Sequence, residues 1–287
     1  MSDPVPPLLR SESSRRVFLG MALALVVGIG CAVLVSLGNP GNMGVCGACF
    51  LRDISASLGL GSSGPAIFRP EIAGLVLGAL AFTLVTGRFV ARSGSHAVAR
   101  FLLGVLMGLA ALVFLGCPFR LLQRLGAGDL NAWLALPGFV LGVGLGLLFE
   151  RRGYSVGRTS PAPAPVGLLG PLVFAGLVVA FLLGGMLRGP GPGSDAKPAH
   201  APWQASLGIA LAAGALLSAT GFCAVSAARQ VFLKQRGMLL GAAALILGYA
   251  LAAAIAGRFE LTWNAPLSHG DALWSFLDGV HREYVAA

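Results

Sequence analysis

Seven stretches of this chain are apolar over the roughly 17 to 25 residues that an α-helix needs to cross a bilayer. They run over 17–37, 72–89, 97–116, 131–149, 166–187, 203–220 and 238–256. Lipid offers no water to an unpaired backbone group, so a spanning segment is either a helix or part of a closed barrel. Short segments of alternating polarity, the mark of a barrel, are missing, and the stretches therefore read as helices. Composition agrees, since only 11% of the residues are charged and 56% are hydrophobic. The first stretch follows Arg15 and Arg16 in the manner of a signal peptide. It is too long for one, and no small-x-small cleavage site followed by a soluble domain comes after it. Cys31 is a poor lipoprotein site because Gly28 occupies the position three residues before it.

Basic loop residues give an orientation. With the N-terminus in the cytoplasm, the cytoplasmic loops hold Arg10, Arg15, Arg16, Arg88, Arg92, Arg100, Arg151, Arg152, Arg158, Arg229, Lys234 and Arg236, which are 12 of the 20 basic residues. The excess of Lys and Arg is thus a property of loops. It is not the basic face with interleaved aromatics that nucleic acid would require. The hydrophilic interruptions at 153–165 and 189–202, rich in Pro, Gly and Ser, read as flexible connectors. Residues 1–287 form a single transmembrane domain with no room for a soluble second one.

Three shorter stretches, 45–60, 118–125 and 222–235, are too apolar for simple loops and too short to cross. Each follows a glycine, starts at a cysteine and contains an arginine. Irregular backbone at membrane depth survives only where it lines a protein-enclosed or watery cavity, so these read as re-entrant half-helices. Two of them repeat. "GVCGACFLR" at 44–52 aligns with "GFCAVSAAR" at 221–229, each with Gly two residues before Cys and Arg six residues after it. Each copy follows one long apolar stretch, and counting crossings places the copies on opposite sides. Opposed copies are the pattern of inverted-repeat transport folds, whose sites form where broken helices meet. The expected fold is an all-α polytopic membrane protein with about seven transmembrane helices plus three re-entrant half-helices in an inverted-repeat architecture. The first repeat covers about 17–150, a connecting helix and linkers about 151–202, and a second, incomplete repeat about 203–287.

The third short stretch, "GCPFR" at 116–120, shows what a cysteine does there. Proline suits the first helical position, which makes Cys117 the N-cap. Free backbone donors and the positive end of the helix dipole attract an anion at that point. A soft sulfur or selenium atom could rest on the thiol while hard oxygens take the amides. Candidate binding residues are therefore Cys46, Cys117 and Cys223, with Cys49 as a further thiol and Arg52, Arg120 and Arg229 drawing in the negative charge. The same arginines also suit helix ends or the interface. Cys31, inside an apolar span, reads as a small hydrophobe. One C-x-x-C pair without further ligands falls short of a zinc site. A thioredoxin-type motif belongs beside a βαβ unit, which is lacking here. His96, His200, His269 and His281 fall in polar connectors or the tail and read as solvated, and the many glycines as close helix packing. No cofactor and no nucleotide-binding fold are expected.

Over most of its length the chain resembles the YeeE/YedE membrane family, which includes bacterial thiosulfate importers. The resemblance rests on "GNMGVCGACFLRD", "RPEIAGLVLGA", "FLGCPFRLLQRLGAGDLNA" and a weaker motif around Cys223. It implies a bacterial inner-membrane transporter and a relay of cysteines, here Cys46, Cys117 and Cys223, along the path of a thiosulfate-like sulfur or selenium anion. It also implies a TusA-like sulfur-carrier protein as a cytoplasmic partner. Long members continue after a segment like "NAPLSHGDALWSFL" into a further span and another Gly-Cys-Pro-x-Arg motif, whereas here "DGVHREYVAA" follows. The resemblance thus implies a second repeat without its own proline-type half-helix, completed by a second subunit or left with three cysteines. Trp274, Phe276 and Leu277 are then expected at the interface. Two rival readings stay open. One is a membrane thiol oxidoreductase using Cys46 and Cys49 as a reversible disulfide, and the other is a non-transporting scaffold for a sulfur carrier.

Overall fold

Proline and glycine punctuate the helices. The computed structural model of the chain describes residues 14–60, 66–114, 116–184, 192–193, 195 and 199–263. Expectations for His269, His281, Trp274, Phe276 and Leu277 lie outside the described residues. Among those described, ten helices form: α1 Ser14–Ser36, α2 Gly47–Ser57, α3 Pro70–Val85, α4 Ala97–Val113, α5 Pro118–Ala127, α6 Leu130–Arg151, α7 Ala164–Leu182, α8 Trp203–Thr220, α9 Ala224–Leu233 and α10 Gly237–Ile255. Pro70 and Pro118 open α3 and α5, where a missing N–H costs nothing. Asp129 caps α6 by accepting from the backbone N–H groups of Asn131 and Ala132. Gly128 and Gly221 end α5 and α8 in the left-handed region, at φ 90° and 64°, which glycine enters without strain.

By length and composition, five stretches among the described residues are long and apolar enough to cross a membrane: α1, α6, α7, the stretch Trp203–Leu233 that holds α8 and α9, and α10. The apolar helices α3 and α4 are shorter, at 16 and 17 residues. No residue of α7 is buried, and Phe101, Leu106, Leu134 and Leu141 on α4 and α6 are exposed as well. Apolar surface on this scale is not left to water. The chain is accordingly an all-α, multi-pass membrane protein.

Two helix pairs make the core, α1 with α10 and α3 with α8. Each crossing is set by glycine. A Cβ at Gly28 would fall on the Leu245 carbonyl, and one at Gly248 on that of Leu25. In the other pair, Gly78 lies against the carbonyl of Leu211 and Gly214 against that of Leu75. The same Leu-x-x-Gly therefore recurs at 25–28, 211–214, 75–78 and 245–248, with Leu of each helix facing Gly of its partner. Backbones come this close only where small residues allow it. Direction follows from neighbouring contacts. Ser14 and Val17 of α1 share a cavity with Gly237 and Leu240 of α10, so these two helices start side by side. Ser206 at the start of α8 donates to Glu71 at the start of α3. The beginning of α1 meets the end of α8, with Arg16 and Gly20 beside Thr220. Thus α1 and α10 run one way and α3 and α8 the other.

One connector departs from expectation. The segment 153–165, read as a flexible linker, contains strand β2, Thr159–Pro161, which pairs antiparallel with β1, Arg92–Gly94. Arg100 explains the order, because its guanidinium donates to the carbonyls of Ser95, Val156 and Gly157 and ties the two connectors together.

Candidate functional site

All three cysteines that open the short helices are N-cap residues. Cys46 caps α2, Cys117 caps α5 and Cys223 caps α9, each with extended backbone. None of the three thiols makes a side-chain capping bond to its own helix, so sulfur can also face a neighbour. The starts of α2 and α5 use this freedom, for the Gly47 N–H of α2 donates to Cys117 Sγ at 3.4 Å. The Cys46 thiol lies beside those of Cys117 and Cys49, and the three pack in one cluster. Arg120, one turn into α5, donates through Nη1 to Cys49 Sγ at 3.6 Å and through Nε to the Asn42 carbonyl at 3.3 Å. Three thiols, one guanidinium and the N-terminal ends of two helices converge there.

Gln123 holds the arrangement. It is fully buried, donates through Nε2 to the Val45 carbonyl at 2.6 Å and accepts from the Val45 N–H at 3.2 Å. The side-chain amide thus pairs with backbone as a neighbouring strand would, and it fixes the residue before Cys46. Gly44 lies against the backbone of Cys31, with no room for a Cβ. Cys31 is buried in the α1 core. At Gly116, φ is 141°, and a side chain there would overlap that of Arg120.

The other nominated residues lie elsewhere. Cys223 is exposed, and among the described residues no hydrogen bond joins it to the three thiols. Arg229 pairs with Glu150 at 2.7 Å, both half-exposed. Arg52 pairs with its neighbour Asp53 at 3.1 Å. Asp53 also receives the guanidinium Nε of Arg69 at 2.9 Å, and Arg69 lies 4.7 Å over the Phe50 ring. His200 is half-buried against a cavity instead of solvated, with Nδ1 3.0 Å from the Ala201 carbonyl. Among the described residues no group of three or more His, Cys, Asp or Glu is arranged to hold a metal ion.

That cavity, about 480 Å³, lies between the starts of α3 and α8 and the end of α7. Phe68 and Phe181 line it, and they also pack in the apolar cluster that encloses Cys46 and Cys49. Their rings stack with centroids 5.2 Å apart, and Phe181 meets Trp203 edge-on. These rings therefore border both the cavity and the cluster that holds the thiols. Truncation at Phe68→Ala is expected to raise the rate at which a maleimide labels Cys46, followed by mass spectrometry of the Cys46 peptide. An unchanged rate would mean that the thiols are reached by another route.

Sequence reasoning missed Gln123, Asp53, Arg69 and Glu71. The available signal was an ionisable or amide side chain inside an otherwise apolar segment, which is costly in lipid and is retained for a reason. No protein-family model matches the chain, and no curated protein matches it.

Proposed function

We propose that this chain carries a small sulfur- or selenium-containing anion of the thiosulfate class across a bacterial inner membrane, with its N-terminus in the cytoplasm. It does so as a transporter and not as an enzyme. In this reading the seven longer helices span, α2, α5 and α9 are re-entrant, and the two halves form an inverted repeat. Supporting the repeat are the recurrent Leu-x-x-Gly crossings and the opposite directions of α1 and α8. The resemblance to the YeeE/YedE family points the same way.

The observation that carries the reading is the meeting of Cys46, Cys49, Cys117 and Arg120 where α2 and α5 begin. A soft terminal sulfur accepts weak S–H donation from the thiols. Oxygens of the same anion accept from Arg120 and from amides at the helix starts, where the dipoles favour negative charge. Cys223, at the start of α9, is a separate station on the other half. Arg52 and Arg229 lie farther out and add positive potential along the approach. A TusA-like carrier would receive the anion on the cytoplasmic side. The bare apolar faces of α4 and α7 suit lipid or a second copy of the chain.

The test is accumulation of labelled thiosulfate by purified protein in liposomes, with selenite, sulfite and polysulfide as competitors. Accumulation is expected with wild type and is expected to be lost with Cys117→Ala. Undiminished uptake by Cys117→Ala would end the thiol relay, and no uptake by wild type would favour a scaffold. A second reading, a reversible Cys46–Cys49 disulfide, is favoured by the nearness of those two thiols in one buried cluster.

A further inference from the structure

Glu71, the second residue of α3, is 1% exposed, and its two oxygens are treated unequally. Oε1 accepts from Asn39 Nδ2 and from Ser206 Oγ, both at 2.8 Å. Oε2 is buried and has no partner among the described residues, while the residue lines the 480 Å³ cavity. Buried polar atoms in native proteins almost always find partners, and an exception asks for a reason. Arg69, two residues earlier, is committed elsewhere, to Asp53 through Nε and to the Ala199 carbonyl through Nη1. His200 is the other ionisable group on the cavity wall. No other ionisable residue occurs in α3, and none occurs in α7 or α8.

Helix packing does not demand a carboxylate here. Aligning the Leu-x-x-Gly crossings sets Glu71 against Gly241, each seven residues before its glycine, and Ser206 against Gly20, each eight residues before. Gly20 and Gly241 lie together in a small cavity at the opposite end of the bundle. The equivalent positions are therefore two glycines bordering open space, whereas this end carries a buried carboxylate, a hydroxyl and the Asn39 amide.

We infer that Glu71, whose buried Oε2 has no partner and which lines this cavity, is the seat of a small monovalent cation, sodium or a proton, that travels with the anion. The inference rests on the transport reading. A dianion entering a site of low dielectric pays a large desolvation cost, and a cation held nearby lowers the net charge that crosses. Phe68 and Phe181 border both the cavity that Glu71 lines and the cluster that holds the thiols, so the two ion sites would share one aromatic wall.

The experiment uses the full chain in liposomes loaded with or without sodium, and with or without an imposed proton gradient. One of the two gradients is expected to accelerate wild-type thiosulfate uptake several-fold. Glu71→Gln, which keeps an acceptor for Asn39 and Ser206, is expected to lose that response, and Glu71→Asp to recover part of it. Wild-type uptake that ignores both gradients overturns the inference and leaves the transport reading standing, as does a Glu71→Gln response equal to wild type. If wild type takes up no anion, the transport reading fails by itself. Infrared difference spectra then judge the cation seat independently. A carboxyl band that moves with sodium or with pH, and is missing in Glu71→Gln, supports it, and the absence of such a band overturns it.

Discussion

Asp53→Ala is expected to lower the stability of the folded protein by about 3–5 kcal/mol, the usual cost of stripping one partner from a buried ion pair. Asp53 and Arg69 are both 1% exposed, and their Nε to Oδ2 distance is 2.9 Å. Without the carboxylate the Arg69 guanidinium keeps only the Ala199 carbonyl and the Phe50 ring face. Neither supplies a full counter-charge, and apolar surroundings do not replace one. Arg52, the second partner of Asp53, is 38% exposed at its side chain, and that bond contributes little. The double variant Asp53→Leu with Arg69→Met is expected to recover most of the loss, because matched apolar residues often replace a buried pair without penalty. Thermal unfolding followed by loss of helical signal, in one detergent for all variants, measures both. A single variant that melts like wild type would show that water reaches Arg69.

Uptake is expected to fall to background with Cys46→Ala and to be reduced but retained with Cys49→Ser. The Cys46 thiol lies beside both other thiols and is wholly buried, so its removal breaks the cluster in two. Cys49 sits at the edge, against Arg120. A serine there still accepts from that guanidinium, and Cys46 with Cys117 keeps the soft contact. The same two variants separate the rival chemistry, since a reversible disulfide needs both sulfurs equally. Equal loss at Cys46→Ala and Cys49→Ser, together with a two-electron redox change in the wild-type thiol count, would favour the oxidoreductase over the carrier.

Much of the local structure was legible one segment at a time. The stretch 203–220 coincides with α8, and 118–125 falls two residues short of α5, because an apolar run, a proline at its head and a glycine at its foot act on neighbouring backbone. The ends of α3 were less so. The run to Phe89 stops at Val85, and the following segment is drawn into the β1–β2 pairing that Arg100, at the start of α4, organises. In the site, Cys46, Cys49 and Cys117 could be named from their glycine and proline context, yet their meeting could not. Gln123 reaches Val45 across 78 positions and Ser206 reaches Glu71 across 135, distances over which local pattern carries no information.

The sequence by itself determined a helical protein of the membrane, since the length of an apolar run and the need to satisfy every backbone group in lipid are properties of one segment alone. Tertiary structure decided which buried charges find partners, which thiols come together and which carboxylate oxygen is left without a partner. Those depend on how helices cross, and here four glycines at four Leu-x-x-Gly contacts set the crossings by letting backbone meet backbone.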